Sequence, residues 1–329
     1  MNSISRAFFD SYPISFISQA FPPAPRFTER NISDLQGKVC YAWPHIATVF
    51  SLMNCQSSLF HQVYIVTGGN TGVGKDVAQI LYSRHARVFV AARSQDKALQ
   101  AIDSVKKTHP DSAGSLEFLH LDLADLRTIK ASAETFLSKA DRLDVLFNNA
   151  GVMNPAMGSK TAQGYDLQLG VNNIGTFMFT KLLTPLLIST AKTAPTATVR
   201  VVWVSSSAAE GMAPKCGVPM DNLDYHKSES NMYRYAVSKA GNYYHATEFA
   251  KRYQHEGVIS VALNPGNLNS DLWRTSGPVA AWFLRTFILH PVIHGAYTEL
   301  FAGLADEVAG KNGAWSEYPL NPLVPRYIH

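Results

Sequence analysis

The sequence predicts one α/β domain with a doubly wound parallel sheet, and three observations lead to that prediction. Short runs rich in Val, Ile and Phe alternate with amphipathic stretches of helical length, the pattern of strands joined by helices on both faces of a sheet. The runs Val-Tyr-Ile-Val and Val-Val-Trp-Val are nearly continuous in apolar residues, as strands buried on both faces are. A glycine-rich run directly follows the first of them.

The expected elements follow one another along the chain. The predicted strands cover residues 63–66, 88–91, 116–120, 145–147, 199–204 and 259–263. The predicted helices cover residues 72–84, 97–108, 126–139, 170–187 and 233–254. Ligands of such sheets bind beyond the carboxyl ends of the strands, so the residues that follow each strand are the first candidates for a site.

Length and composition bound the class of protein. The chain has 329 residues, of which 46% are hydrophobic and 16% are charged, and these values are ordinary for a soluble globular protein with a sizeable core. We expect the domain to span residues 34–316. Residues 1–33 would be an N-terminal extension and residues 317–329 a C-terminal tail.

Several classes of partner are not expected. The net charge of +4 is too small and dispersed for nucleic acid, and the eleven histidines show no metal-ligand spacing. The three cysteines, Cys40, Cys55 and Cys216, form no CxxC pair, which favours a reducing, cytoplasmic compartment. No uninterrupted apolar run is long enough for stable membrane insertion. The aromatic N-terminus, residues 1–21, is compatible with a packed tail, a disordered tail or a peripheral membrane contact.

The glycine-rich run is the first candidate site. The predicted strand 63–66 continues into Thr-Gly-Gly-Asn-Thr-Gly-Val-Gly-Lys, residues 67–75. Glycines permit a tight turn and let the backbone approach a pyrophosphate at the positive end of the next helix. The spacing TGxxxGxG departs from the plain GxGxxG fingerprint. The candidate cofactor-binding residues here are Gly68, Asn70, Gly72, Val73, Gly74 and Lys75.

The end of the second strand predicts which dinucleotide binds. Enzymes specific for NAD usually place an acidic residue there to hold the ribose 2′-hydroxyl, whereas this chain has Val-Ala-Ala-Arg, ending at Arg93. The planar guanidinium of Arg93 can hold a 2′-phosphate, and Lys75 adds positive charge nearby. We therefore expect NADP, although a solvated surface arginine would produce the same residue pattern.

A second pattern, Tyr235-Ala-Val-Ser-Lys239, predicts acid–base chemistry. Residues four apart stack on one helix face, and a nearby ammonium is expected to lower the tyrosine pKa so that the phenol exchanges a proton with an alcohol or ketone oxygen. The spacing alone is also common in surface helices. Its significance depends on the other motifs.

Together the motifs resemble those of the short-chain dehydrogenase/reductase family. The resemblance runs from about residue 34 to residue 313, except for the segment described below, and implies a Rossmann fold. Beside the glycine loop and the Tyr/Lys pair, the chain has Asn-Asn-Ala-Gly at 148–151, Leu-Asp-Leu at 121–123, Val-Asn-Asn-Ile-Gly at 171–175, Val-Ser-Ser-Ser at 204–207 and Asn-Pro-Gly-Asn-Leu-Asn-Ser at 264–270.

The resemblance implies a role for single residues. Ser206, Tyr235, Lys239 and Asn172 match the family's catalytic residues, with the serine register among residues 205–207 uncertain by one position. Asp122 matches the residue that contacts adenine, and Asn149 the one beside the adenosine ribose. Leu268 and Ser270 belong to the loop that holds the nicotinamide carboxamide. In isolation, the asparagines could also be turn or cap residues and the serines strand-end hydroxyls.

The family implies an NADP-dependent oxidoreductase that interconverts a carbonyl and an alcohol. Ser206 would polarise the carbonyl, Tyr235 would transfer the proton, and Lys239 would lower the tyrosine pKa and bind the nicotinamide ribose. Asn172 would complete a relay through water. The alternative is a non-catalytic NADP-binding regulator, but such proteins commonly lose the tyrosine or the lysine. The expected assembly is a homodimer or a tetramer, between which the sequence does not decide.

The predicted substrate side is apolar. Residues 207–234 are expected to form a long loop over it, and Pro-Val-Ala-Ala-Trp-Phe-Leu, residues 278–284, is either a substrate lid or a core helix. A lid of this composition would suit a bulky hydrophobic small molecule. The run Gly-Ala-Tyr-Thr-Glu-Leu-Phe, residues 295–301, resembles a fungal branch close to retinol-dehydrogenase-like members, whose relatives often tailor secondary metabolites.

Residues 40–62 interrupt the family pattern. The phrase Asp-Leu-Gln-Gly-Lys-Val, residues 34–39, should continue directly into the first strand, which resumes only at Val63. Val-Cys can be encoded GTATGT and Gln as CAG, the boundary signals of a short fungal intron. The segment is therefore either an in-frame retained intron or a genuine surface insertion, and sequencing of the mature transcript distinguishes the two.

Overall fold

A computed structural model of the chain describes residues 24–38, 59–270 and 288–317. Its nine strands are β1 Gln36–Lys38, β2 Leu59–His61, β3 Val63–Thr67, β4 Arg87–Ala92, β5 Ser115–His120, β6 Val145–Asn148, β7 Arg200–Val204, β8 Ile259–Asn264 and β9 Trp315–Glu317. Its helices are α1 Gly72–Ser83, α2 Gln95–Thr108, α3 Leu126–Leu137, α4 Leu167–Leu169, α5 Thr176–Ala191, α6 Ala208–Gly211, α7 Asn231–Tyr253 and α8 Val292–Leu304.

Strands β3 to β9 form one parallel sheet in the order β5-β4-β3-β6-β7-β8-β9. The chain therefore winds outward from β3 in one direction and from β6 in the other. The carboxyl ends of β3 and β6 meet at the point where the strand order reverses, which is where such sheets bind ligands. The doubly wound Rossmann fold predicted from the sequence is confirmed.

The core lies on both faces of the sheet because side chains of successive strand residues point to opposite sides. Tyr64 and Phe147 belong to the cluster on one face. Ile65, Phe89 and Trp203 belong to the cluster on the other face. All five side chains are fully buried, which accounts for the continuous apolar runs in the sequence.

Helix α8 and strand β9 were not predicted. Strand β9 pairs with β8 at the edge of the sheet. Helix α8 packs on the face of the sheet that carries Tyr64. The helix comes close to that face at Gly303, where a β-carbon would lie 2.5 Å from Phe147 Cζ. Only a residue without a side chain permits this distance.

One helical stretch, Leu167–Ala191, is long and apolar enough to cross a membrane by length and composition. The sequence-based expectation overlooked it because polar residues interrupt the apolar run. Phe179, Leu183 and Leu187 are fully buried in the core cluster that contains Trp203. Packing of α5 against the sheet therefore explains its apolar character.

The start of the domain is a short ribbon. Strand β1 pairs antiparallel with β2, so that Lys38 lies opposite Leu59. Gln62 donates its backbone N–H to Leu35 O at 3.1 Å and accepts from Arg87 N at 3.0 Å. The last four residues of the segment expected to be foreign, residues 59–62, thus connect the ribbon to the sheet.

Part of the predicted N-terminal extension also packs on the domain. The Phe27 ring meets the Phe301 ring of α8 edge-on, with centroids 5.6 Å apart, and both are buried. Several other sequence-based expectations fall on residues that are not described: the aromatic N-terminus 1–21, most of the segment 40–62 with Cys40 and Cys55, and the apolar segment 278–284. The tail, residues 318–329, is also outside the described residues.

Candidate active site

The glycine loop lies between β3 and α1, at the carboxyl edge of the sheet. Gly68 and Gly72 have positive φ angles, 69° and 55°, a conformation that favours glycine. A β-carbon on Gly74 would lie 2.4 Å from Asn149 Nδ2 and 2.7 Å from Gly68 O. Asn149 Nδ2 itself donates to Thr67 O at 2.7 Å, so Asn149 ties the loop to the end of β6.

A cavity of about 510 Å³ opens between this loop and the ends of β6, β7 and β8. It brings together nine residues that were predicted for the site from their motifs, and these are Gly68, Asn70, Gly72, Val73, Asn149, Tyr235, Lys239, Leu268 and Ser270. Ser206 also lines it. The predicted phosphate loop and the predicted acid–base residues therefore share one cavity.

The cavity fits a dinucleotide. A β-carbon on Gly72 would meet nothing within 4 Å, so the first turn of α1 is open to the cavity. The N-terminus of a helix of this length, preceded by a glycine turn, presents backbone N–H groups to an anionic pyrophosphate. Gly68, Asn70, Gly72 and Val73 would surround the phosphates, and Leu268 and Ser270, in the loop after β8, would hold the nicotinamide end if the prediction from the motifs is correct.

Ser206, Tyr235 and Lys239 form a cluster on one wall. Ser206 follows β7, and the other two residues lie one turn apart on α7. Tyr235 and Ser206 share a side-chain hydrogen bond. Lys239 Nζ lies 5.8 Å from the centroid of the Tyr235 ring and donates to Val204 O at 2.8 Å.

The expected lowering of the tyrosine pKa is wrong for this arrangement. Burial raises the pKa of Tyr235 to about 12, and the hydrogen bond with Ser206 offsets only part of that rise. Burial also lowers the pKa of Lys239 to about 8. The ammonium donates to Val204 O rather than to the phenol, and burial, which disfavours the charged phenolate, is the largest cause of the shift. Tyr235 therefore keeps its proton at neutral pH.

The three consecutive serines have different surroundings. Ser205 is 2% exposed, and its Oγ donates to Lys239 O at 2.6 Å. Ser206 Oγ accepts from Ala208 N at 3.2 Å and also contacts Tyr235. Ser207 is the N-cap residue of α6 but makes no side-chain cap hydrogen bond. The hydroxyl of Ser206 is thus the one beside the phenol.

Asn172 lies in a π-helical turn, Gly170–Gly175, between α4 and α5. Its Oδ1 accepts from Val152 N at 2.7 Å, and its Nδ2 donates to Val152 O at 2.9 Å. A β-carbon on Gly151 would lie 3.2 Å from Asn172 Oδ1 and 3.3 Å from Lys239 Nζ. The asparagine and the lysine therefore flank the same glycine.

Five predicted residues do not line the cavity, and one of them is Asn172, described above. Gly74 packs beneath the loop, as described. Lys75 Nζ donates to Ser104 Oγ of α2 at 3.2 Å, and Asp122 Oδ1 accepts from Ala124 N at 2.9 Å. Arg93 directly follows β4 at the carboxyl edge of the sheet and is exposed.

Among the cavity-lining residues that sequence reasoning did not assign to the site, two are buried and polar. Glu299 of α8 is fully buried, Asn264 at the end of β8 is 1% exposed, and both line the cavity. Asn264 was quoted only as the start of a motif. The signal for Glu299 was an acidic residue inside the otherwise apolar run Thr-Glu-Leu-Phe-Ala, because a carboxyl group on a buried helix face usually has a function or a partner.

Comparisons with known proteins agree with the fold and the motifs. A model of the short chain dehydrogenase family matches residues 62–218. A short-chain dehydrogenase/reductase of Phomopsis amygdali is 50% identical over 296 residues, which cover 89% of this chain and 81% of that protein. The short-chain dehydrogenase/reductase sthC of Phaeosphaeria nodorum is 42% identical over 309 residues, with coverage of 92% and 90%.

Two solved structures share the fold. The Pseudomonas aeruginosa RhlG/NADP complex has a TM-score of 0.60 and 22% identity, with 78% of this chain and 94% of that chain covered. The 3-ketoacyl-(acyl-carrier-protein) reductase of Brucella melitensis, complexed with NADH, has a TM-score of 0.61 and 19% identity, with 79% and 98% covered. With the glycine loop and the Ser206, Tyr235 and Lys239 cluster at the edge of a doubly wound sheet, these similarities show that the chain belongs to the short-chain dehydrogenase/reductase family, among relatives from fungi.

Proposed function

We propose that this oxidoreductase uses NADPH to reduce a carbonyl group on a bulky, hydrophobic small molecule in secondary metabolism, and that the reverse oxidation uses the same residues. The observation that carries the proposal is the contact between Ser206 and Tyr235 on the wall of the cavity that the glycine loop enters. A bound nicotinamide cofactor would supply or accept the hydride. The protein's residues donate a hydrogen bond to the carbonyl oxygen and transfer the proton.

The chemistry at the carbonyl oxygen follows from the two hydroxyl groups. Ser206 donates a hydrogen bond to that oxygen, where negative charge develops during reduction. Tyr235 gives the oxygen its proton, and its raised pKa supports this direction because the phenol is protonated at neutral pH. Lys239 holds the ribose and, with Asn172, connects the phenol to water.

Arg93 supports the choice of NADPH over NADH. It makes no hydrogen bond or ion pair with the described residues, it is exposed, and it directly follows β4. A guanidinium in that position binds a 2′-phosphate through two parallel hydrogen bonds. Lys75, on the first turn of α1, contributes positive charge on the same side of the site.

The substrate end of the cavity supports a hydrophobic ligand. Met153, Met212 and Met232 line it, and flexible thioether side chains adapt to irregular apolar shapes. Ser270 and Ile288 also line the cavity.

The test is NADPH oxidation by the purified full-length protein against a panel of hydrophobic ketones and a sugar ketone, with NADH in parallel. We expect turnover of the hydrophobic ketones with NADPH. Tyr235→Phe should remove most of the turnover while retaining NADPH binding. A wild-type protein that binds NADPH and reduces none of the ketones would favour the regulator, and equal efficiency with NADH would refute the cofactor preference.

A further inference from the structure

Beneath the cavity lies a buried carboxyl group that the proposed chemistry does not use. Glu299 of α8 is fully buried, and neither Oε1 nor Oε2 has a hydrogen-bond partner among residues 24–38, 59–270 and 288–317. Asn264 Nδ2, on the neighbouring end of β8, is likewise buried without an acceptor. Buried polar atoms are nearly always hydrogen-bonded, and both of these side chains line the cavity that contains Lys239.

The carboxyl group interacts electrostatically with Lys239. Each of the two residues is the charged neighbour that shifts the pKa of the other toward its ionised form. Burial acts in the opposite direction on both residues: it raises the pKa of Glu299 to about 8 and lowers that of Lys239 to about 8. Two groups of this kind titrate as a pair rather than independently.

Other charged groups around α8 do not reach the carboxyl group. Arg200 of β7 donates to Ala302 O at 3.1 Å, and only Lys239 contributes a charge interaction to the pKa of Glu299 within the described ranges. The remaining titratable side chains on the described elements packed against α8 are Lys75, Asp76, Tyr82, Asp306 and Glu307.

We infer that Glu299 is a positioning residue of the proposed reductase, whose carboxyl group controls whether Lys239 carries its proton. The inference rests on the proposed function, in which the ammonium of Lys239 binds the cofactor ribose and links Tyr235 to water. A desolvated lysine loses its proton unless an anion compensates it. Among the described residues Glu299 is the group that can supply this anion: as the pH rises toward 8 its carboxyl group ionises and allows Lys239 to keep its proton to higher pH. It acts through Lys239 without contacting the reacting atoms.

The first test is the pH profile of kcat with NADPH and the best ketone of the panel. Glu299→Gln keeps the shape of the side chain but cannot ionise, so Lys239 should lose its proton at lower pH. We expect the alkaline limb to move toward lower pH by about one unit, with little change in KM for NADPH. Glu299→Asp should restore the limb in part, and Glu307→Gln, at an exposed acid beyond the end of α8, should leave it unchanged.

The second test needs neither cofactor nor substrate. A carboxyl group whose pKa is raised on folding stabilises the fold below its unfolded pKa of about 4.5 and loses that contribution as the pH rises through about 8. The melting temperature of Glu299→Gln should therefore rise relative to wild type between pH 5 and pH 8. Burial alone produces this rise, so the coupling is tested by the same comparison in a Lys239→Met background. Without the ammonium the pKa of Glu299 should be higher still, and the difference should continue to rise to higher pH.

The two tests separate the inference from the proposed function. If wild type reduces ketones but Glu299→Gln has the same pH profile and the melting differences are identical in the wild-type and Lys239→Met backgrounds, the inference is wrong and the function stands. If wild type reduces no ketone, the proposed function fails, and the melting curves alone decide whether Glu299 and Lys239 are coupled: a difference that extends to higher pH in the Lys239→Met background supports the coupling, and identical curves in the two backgrounds refute it.

Discussion

The neighbouring hydroxyls of Ser205 and Ser206 permit a sharp test of the proposed site. The perturbation is the same in both variants, because Ser206→Ala and Ser205→Ala each remove one oxygen atom from adjacent positions after β7. Ser206 contacts Tyr235 in the cavity, whereas Ser205 Oγ donates to Lys239 O at 2.6 Å and is buried. The two losses should therefore appear in different measurements.

The expected magnitudes follow from these surroundings. Removal of one hydrogen-bond donor to a developing oxyanion costs about 2.7–4 kcal/mol of transition-state stabilisation, so Ser206→Ala should lower kcat about 10²–10³-fold. Loss of the buried hydrogen bond of Ser205 should reduce the free energy of unfolding by about 0.5–1.5 kcal/mol, which lowers the melting temperature by about 2–4 °C per kcal/mol in a domain of this size. Its kcat should change little.

The assay combines NADPH oxidation kinetics with thermal melts of both variants. Ser207→Ala is the matched control, because that hydroxyl makes no cap hydrogen bond, and it should change neither quantity. Full activity in Ser206→Ala together with a large loss of kcat in Ser205→Ala would show that the catalytic serine is one position earlier and would refute the assignment.

Three further predictions concern the cofactor, the core and acid stability. Arg93→Ala should raise KM for NADPH about tenfold or more, the loss expected for a charge-assisted hydrogen bond, while KM for NADH and the melting temperature stay constant; steady-state kinetics with both cofactors check this. Gly303→Ala should cost about 1–3 kcal/mol of unfolding free energy, because its β-carbon would lie 2.5 Å from Phe147 Cζ, whereas Gly310→Ala, with nothing within 4 Å, should melt like wild type. Burial lowers the pKa of His245 from 6.5 to about 4, so its contribution to stability is complete above pH 6.5 and declines as the pH falls toward 4. His245→Gln should flatten that decline in chemical denaturation curves, and an unchanged slope would contradict it.

The strands and the motif residues were predictable because their signals are local. Apolar runs predict β3 to β8. The glycines at 68, 72 and 74 come directly after β3 in the sequence, and in the structure they lie at its carboxyl end. Helix α8 and strand β9 lacked such signals: the first is apolar on several faces, and the second has three residues. Pairing with β8 places β9 and packing in the core cluster that contains Tyr64 places α8; sequence periodicity reports neither.

The chemistry of single side chains was less predictable than their position. The spacing of Tyr235 and Lys239 correctly places them one helical turn apart, but the sign of the tyrosine pKa shift depends on burial, which arises from the whole fold. The sequence does not show which of three consecutive serines enters the cavity. In the structure, the hydrogen bond from Ser205 Oγ to Lys239 O distinguishes Ser205 from its neighbours. The position of Glu299 beneath the lysine likewise requires α8 to be docked on the sheet.

The β1–β2 ribbon has a consequence for the gene as well as for the protein. Lys38 and Leu59 are cross-strand neighbours, about 5 Å apart in such pairing, so the chain departs and returns at almost one point. The free energy needed to close a loop depends only weakly on its length. Residues 59–61 are β2 itself, so a transcript that splices out residues 40–62 would lose the ribbon and join Val39 to β3, whereas both transcripts would encode strands β3 to β9 and the residues that line the cavity.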